Sequence, residues 1–327
     1  MNTHDLAVGP PAGPASGDAG RPACSGAPRR FALPPHEAAA ARAWLEEGEL
    51  VPSCPLRTAA SVVFTREGED GLETFLTYRP TPSSPLGKVG FPGGVVEPRD
   101  GDPIGWYGPT PEQWARKFGG EDLNRARGAV VAAIRESFEE IGILLAGPDQ
   151  LATVEHSEAS ETMASREAVA GQELSFADHL RRGGLKLRTD LLKPLGRWQS
   201  PDFSHRRFDT HYFAAAVPVG QRPRLLDSKG IWGRWVGVRA LLREADSTAL
   251  GEEIGTPETR GERAVDLMTP GVMCILESLS RCETTVAFLT RKRPVGVKKA
   301  ELVRAEGGLF LEFTPPRDSC GAREKGA

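Results

Sequence analysis

The 327-residue sequence lacks long apolar runs. No segment reaches the roughly 18 consecutive apolar residues that a membrane-spanning helix requires, so we expect no association with a membrane. The N-terminal segment is rich in Pro, Gly and Ala and contains no hydrophobic stretch, so it does not have the pattern of a secretory signal. We predict that residues 1–33 form a disordered tail.

Cysteine and net charge are also low. The five cysteines are widely separated and form no C-x-x-C pair, which argues against a disulfide framework or a structural zinc site and favours a reducing, cytoplasmic location. The formal net charge of −3 gives no reason to expect nucleic acid as a partner. We interpret the basic residues at 291–293 and 298–299 as solvated surface.

The patterns of apolar residues predict an α+β fold, in which helices pack on a mixed β-sheet. We divide the chain into the tail, one domain over residues 34–285 and a C-terminal extension over 286–327 that contains a β-hairpin at 300–313. The predicted helices cover residues 36–47, 128–145, 176–182, 239–245 and 272–282. The predicted strands cover residues 56–65, 73–79, 195–199, 208–217 and 231–238. Residues 101–127 are predicted to be irregular or weakly helical.

The segment R-E-S-F-E-E-I-G at 135–142 places three carboxylates on one turn of a helix. Glu136, Glu139 and Glu140 share a face at this spacing, and each pair of like charges destabilises an isolated helix by a few tenths of a kcal/mol. A hard divalent cation such as Mg²⁺ or Mn²⁺ would relieve this repulsion. An E-x-x-E-E pattern alone more often marks a solvated helix surface, but the flanking Arg135 and Gly142 make chance a poor explanation.

A glycine pair and an acid precede this helix. Gly94 is followed six positions later by Asp100, giving G-x5-D … R-E-S-F-E-E-I-G-I. This pattern resembles the Nudix box, whose usual form is G-x5-E-x7-R-E-U-x-E-E-x-G-U, where U is aliphatic. Here Asp replaces the first Glu, and 34 residues instead of seven separate it from Arg135. Such an insertion, together with W-Q-S-P at 198–201 and R-R-F-D-T at 206–210, is similar to the coenzyme A diphosphatase-like branch of the family.

The resemblance covers residues 55–285 and implies the Nudix fold, a mixed β-sheet between helices, with the insertion at 101–127 looped out. It implies a hydrolase that cleaves a diphosphate linked to another moiety and depends on Mg²⁺ or Mn²⁺. Arg135 would orient the glutamates, Gly94 would allow close approach of the backbone, and Asp100 would have an outer-sphere or salt-bridging role. Glu136 is the favoured general base, although the choice among the glutamates stays open. The implied metal ligands are Glu136, Glu139, Glu140 and the carbonyl of Gly93.

Signals for the substrate are weaker. The segment F-L-T-Y-R-P at 75–80 is similar to the L-L-T-x-R segment of coenzyme A-cleaving relatives. Arg79 could therefore bind a 3′-phosphate or a diphosphate oxygen, and the alternative is that it only ends a strand. Arg206 and Arg207 could bind anionic groups or be strand-edge charges, and Asp227 is a candidate for a further acid. We interpret His205 and His211 as structural.

Coenzyme A or acyl-CoA, cleaved to 3′,5′-ADP and a phosphopantetheine, is therefore the leading substrate hypothesis. ADP-ribose and NADH-type dinucleotides are the alternatives within the same reaction class. A non-catalytic Nudix-fold binding or regulatory module is the alternative outside it. The expected partner is a small molecule, and the oligomeric state is left open, with a homodimer as one option.

Overall fold

The computed structural model describes residues 28–48, 54–80, 89–155, 160–293 and 295–315, without the side chains of residues 160–162. Most of the predicted N-terminal tail lies outside the described residues. Arg30–Phe313 form one compact unit. The residues at the two ends of the chain form a second unit, of which only residues 28, 29, 314 and 315 are described.

The described residues contain helices and strands in an interleaved order. The helices are α1 (Ala38–Glu47), α2 (Pro111–Lys117), α3 (Leu123–Ile141), α4 (Ser160–Ala170), α5 (Phe176–Arg182), α6 (Val238–Arg243), α7 (Ala249–Ile254), α8 (Pro270–Ser280) and α9 (Thr285–Thr290). The strands are β1 (Arg29–Ala32), β2 (Leu56–Gly68), β3 (Gly71–Tyr78), β4 (Val89–Gly90), β5 (Gly93–Val95), β6 (Trp106–Tyr107), β7 (Ala146–Gly147), β8 (Lys186–Arg188), β9 (Lys193–Gln199), β10 (Arg207–Ala216), β11 (Trp232–Gly237), β12 (Val297–Lys299), β13 (Glu301–Ala305) and β14 (Gly308–Phe313).

A mixed sheet with the strand order β11-β3-β2-β10-β9-β12 forms the centre of the domain. β2 pairs in parallel with β10 and antiparallel with β3, and the short β5 pairs with β2 at the place where the Gly93–Gly94 pair lies. Alternate residues of β2 enter different cores: Val62 packs on the side of α3, whereas Val63 packs on the side of α8. The sheet therefore lies between two layers of helices, which confirms the predicted α+β class.

The helix that carries the glutamates has different ends from those predicted. It begins at Leu123 rather than 128, because the side chain of Asp122 accepts a hydrogen bond from the N–H of Arg125 (2.9 Å) and caps the first turn. It ends at Ile141 rather than 145, because Gly142 adopts a left-handed conformation with φ of 72°. The carboxylate segment thus occupies the last turns of α3.

Several elements were missed by the sequence analysis. Residues 101–127 contain α2, whose Trp114 is fully buried, and residues 149–193 contain α4 in addition to α5. β1 lies inside the segment predicted as a tail and joins β14 in a small sheet with β13. The predicted hairpin at 300–313 is confirmed as β13 and β14. The segment of α4 has few large apolar residues, so its periodicity is weak.

The C-terminus of α3 yields a prediction about stability. Any other residue at position 142 would have to adopt an unfavourable positive φ. Its β-carbon would also lie 3.2 Å from Nη1 of the buried Arg166. Gly255 ends α7 with φ of 75°, but the nearest atom to its added β-carbon is 3.5 Å away. We expect Gly142→Ala to lower the free energy of unfolding by about 2 kcal/mol and Gly255→Ala by about 1 kcal/mol, measured by urea denaturation. Equal losses of unfolding free energy in the two variants would show that the side chain of Arg166 moves aside without cost.

Candidate functional site

The buried guanidinium of Arg135 lies at the centre of a cluster of carboxylates. It donates to both oxygens of Asp100 (2.8 and 3.0 Å), to Glu136 (2.8 Å) and to Glu139 (3.0 Å), and also to the carbonyl of Val95 (3.0 Å). Burial opposes the charge of Arg135, but these carboxylates raise its pKa well above the ordinary value. Arg135 therefore fixes α3 against β5 and the segment that follows it.

Asp100 connects the two separated parts of the box. It lies in a short 3₁₀ turn, Pro98–Gly101, and also accepts a hydrogen bond from the N–H of Glu97 (2.8 Å). Burial raises the pKa of Asp100, while its bonds to Arg135 act in the opposite direction. Arg127, near the start of α3, donates to the carbonyl of Asp100 (2.8 Å). The two ends of the insertion, which covers residues 101–127, are thus held together, so the chain between them leaves the box and returns to it.

The carboxylate of Glu140 is buried at the inner side of the cluster. It accepts hydrogen bonds from a guanidinium nitrogen of Arg79 and from the N–H of Gly93 (3.1 Å). Burial raises the pKa of Glu140 to about 7, although Arg79 opposes this shift and the charge of Glu136 adds to it. Arg79, which the sequence suggested as a substrate ligand, therefore lies directly beside a glutamate of the box.

Glu139 is bonded by a residue that sequence analysis missed. The ammonium of Lys229 lies 2.6 Å from Oε2 of Glu139, while Arg135 occupies the other oxygen. Burial and the charge of Glu136 raise the pKa of Glu139, and Arg135 and Lys229 oppose that shift. The predicted acid in this loop, Asp227, has an exposed side chain. The residue of this loop that bonds the cluster is Lys229, for which the sequence analysis gave no role.

The two glycines allow the close approach of strand and helix. A β-carbon on Gly94 would lie 2.3 Å from Oε1 of Glu136, and one on Gly93 would lie 2.2 Å from the carbonyl oxygen of Ala60 in β2. Gly94 faces Ala60 in the register between β5 and β2. Any side chain at these positions would displace either the glutamate or the strand.

The donor set of the cluster suits a divalent cation. Four buried carboxylates are bonded by three cationic side chains, so one negative charge remains when all four carboxylates are ionised. Oε2 of Glu136 and Oε1 of Glu140 accept no hydrogen bond from the described residues. Within the described part of the chain, no group of three or more His, Cys, Asp or Glu side chains is arranged to hold a metal ion. Carboxylate oxygens are nevertheless the ligands that Mg²⁺ and Mn²⁺ prefer, and the uncompensated charge fits such an ion.

The remaining predicted residues have other surroundings. Arg207 forms an ion pair with Asp202 at the start of β10 and donates to the carbonyl of Cys54 (3.2 Å), while Arg206 is exposed. His211 is fully buried, with Nε2 2.7 Å from Oε2 of Glu121. His211 therefore connects β10 to the insertion.

A second ionic cluster extends this connection between the insertion and the sheet. Asp209 of β10 accepts hydrogen bonds from Arg197 of β9 (2.6 Å) and from Arg125 of α3 (2.5 Å). Burial alone would raise the pKa of Asp209, but the bonds from Arg197 and Gln199 lower it.

None of the helices among the described residues is both long and apolar enough to cross a membrane.

Neither a scan against protein-family models nor a search of curated proteins gives a match. Among solved structures, a NUDIX hydrolase from Alicyclobacillus acidocaldarius superposes with a TM-score of 0.54 at 22% identity, over 73% of this chain and 98% of that chain. An Ap4A hydrolase from C. elegans gives 0.29 at 16% identity, over 61% and 93% of the two chains. The NUDIX domain of NrtR from Shewanella oneidensis gives 0.29 at 11% identity, over 62% and 86% of the two chains. The first similarity shows that this chain has the Nudix fold.

The bidentate pair between Asp100 and Arg135 provides a test of the cluster. Asp100→Asn places an amide N–H against a guanidinium N–H and removes one of the negative charges that compensate the buried Arg135. We expect it to lower the free energy of unfolding by about 3 kcal/mol, measured by denaturant titration without added metal. Asp102→Asn, two residues away, should change it by less than about 0.5 kcal/mol. Equal effects of the two substitutions would contradict a central structural role for Asp100.

Proposed function

We propose that the protein is a divalent-cation-dependent hydrolase that cleaves the diphosphate bond of a nucleoside diphosphate linked to another moiety. The observation that carries this proposal is the meeting of the two parts of the interrupted box at Arg135. Asp100 and Glu139 both bond this guanidinium, although the insertion separates them in the sequence. A chance run of surface glutamates would not be buried around one arginine in this way.

The residues of the cluster have distinct proposed roles. Glu136, Glu139, Glu140 and the carbonyl of Gly93 would hold Mg²⁺ or Mn²⁺, which when bound activates water and neutralises charge on the phosphoryl oxygens. Arg135 orients Glu136 and Glu139 by charge-assisted hydrogen bonds. Glu136 is the proposed general base, because Arg135 holds one of its oxygens and leaves the other without a partner among the described residues.

For the substrate we propose coenzyme A or acyl-CoA, with 3′,5′-ADP and a phosphopantetheine as products. The support is the segment at 75–80 together with the long insertion in the box. Because Arg79 is bonded to Glu140 inside the cluster, we assign it to the diphosphate rather than to a remote 3′-phosphate. Arg206 and Arg207 remain candidates for other anionic groups. The five widely separated cysteines of the sequence support the proposal of a cytoplasmic location.

The test incubates the purified protein with Mg²⁺ or Mn²⁺ and coenzyme A, acetyl-CoA, ADP-ribose, NADH or diadenosine polyphosphates, and identifies products by mass spectrometry. Glu136→Gln and Glu140→Gln should each reduce the rate by about 100-fold or more, whereas the exposed Glu173→Gln should not. Release of 3′,5′-ADP supports the coenzyme A assignment, and cleavage of another compound alone moves the substrate to that class. If nothing is cleaved but a nucleotide binds tightly, the protein is a binding module and the hydrolase proposal is wrong.

Gly94 offers a second test of the same geometry. The methyl group of Gly94→Ala would push the carboxylate of Glu136 out of place, so we expect the rate to fall by about 100-fold while the fold is kept. Gly101→Ala is the matched control, because no atom lies within 4 Å of the added β-carbon. Rates would be compared at equal content of folded protein, measured by circular dichroism. Full activity of Gly94→Ala would exclude Glu136 from the reaction.

A further inference from the structure

The loop that carries Lys229 is held at both of its ends. On one side, the N–H of Leu226 donates to the carbonyl of Glu140 at the end of α3 (2.8 Å). On the other side, the N–H of Ile231 donates to the carbonyl of Tyr78 at the end of β3 (3.2 Å). These two contacts place Lys229 between the helix that carries the glutamates and the strand that leads to Arg79. Its position is therefore set by the fold and is not that of a lysine on a free surface loop.

Lys229 lies at the open side of the carboxylate cluster. Its side chain is 25% exposed, whereas that of its partner Glu139 is only 4% exposed. The two arginines of the cluster, Arg79 and Arg135, are 9% and 5% exposed. A ligand that enters the cluster from solvent therefore meets the ammonium of Lys229 before it meets either guanidinium.

The charge balance indicates which cation would give way to a metal ion. The three cations leave one negative charge among the four carboxylates, so a divalent ion would turn a deficit of positive charge into an excess. Arg135 is held by five hydrogen bonds, and the release of such a buried group would leave several acceptors unpaired. Among the described residues, Lys229 is joined to the cluster by one side-chain hydrogen bond, to Glu139, and it has a long flexible stem. It is the cation that can leave at least cost.

We infer that Lys229 bonds the carboxylate of Glu139 in the metal-free protein and releases it when the divalent cation binds. The ammonium of Lys229 then contacts the diphosphate group of the substrate. The inference rests on the proposed function and adds the order of binding, with the cation before the diphosphate. A displaced ammonium would lie beside the metal ion and within reach of phosphoryl oxygens, which it binds as a point charge. Lys229 is thus a positioning and substrate-binding residue in place of the acid expected in this loop.

The experiment measures two equilibria in full-length protein without catalysis. Binding of Mn²⁺ alone is followed by electron paramagnetic resonance, and binding of methylenediphosphonate, a diphosphate that is not hydrolysed, is followed by calorimetry at saturating Mn²⁺. Lys229→Met should bind Mn²⁺ about tenfold more tightly, because the competing cation is gone, and methylenediphosphonate about tenfold more weakly. A residue that only supports the loop would weaken both equilibria when replaced.

Two further variants make the result specific. Lys229→Arg keeps the positive charge and should bind the diphosphonate more tightly than Lys229→Met. Lys193→Met removes an exposed lysine that, among the described residues, donates only to the carbonyl of Asp190 (3.2 Å), and it should change neither equilibrium. Unchanged affinity of Lys229→Met for either ligand, or weaker binding of Mn²⁺, overturns the inference. If the wild-type protein itself binds no Mn²⁺, the proposed function fails instead, because the cluster then holds no metal.

Discussion

The hydrogen bonds of Arg135 are the interaction on which the geometry of the site depends. One guanidinium joins the strand β5, the turn that contains Asp100 and the last turns of α3. Because these bonds are charge-assisted and buried, a shift of the arginine would break several of them together. The same guanidinium bonds two of the three glutamates in one turn of the helix and so offsets part of their mutual repulsion.

Much of this arrangement could be predicted from the sequence. The α+β class followed from the apolar patterns, and the Nudix fold followed from a motif whose letters are interrupted by a long insertion. The long insertion is compatible with the fold, because the entropic cost of closing a loop grows slowly with its length. The ends of α3 were less predictable. They depend on the cap at Asp122 and on the left-handed Gly142, which are local features that a periodic pattern does not register.

Contacts between distant segments could not be predicted. Lys229 and Glu139 are 90 positions apart, and Arg79 and Glu140 are 61 positions apart. No spacing rule connects such residues, so the sequence analysis assigned Arg79 either to the substrate or to a strand end and gave Lys229 no role. The buried Arg166, which donates to the carbonyl of Glu139 (2.9 Å), was missed for the same reason.

The distance along the chain between the glutamates and their counter-ions has a consequence for folding. On its own, the end of α3 carries three adjacent carboxylates and only one arginine, which disfavours the helix there. Compensation arrives only when β3 and the loop at 224–231 dock, and contacts between such distant segments form late. The last turns of α3 should therefore become helical together with the sheet rather than before it.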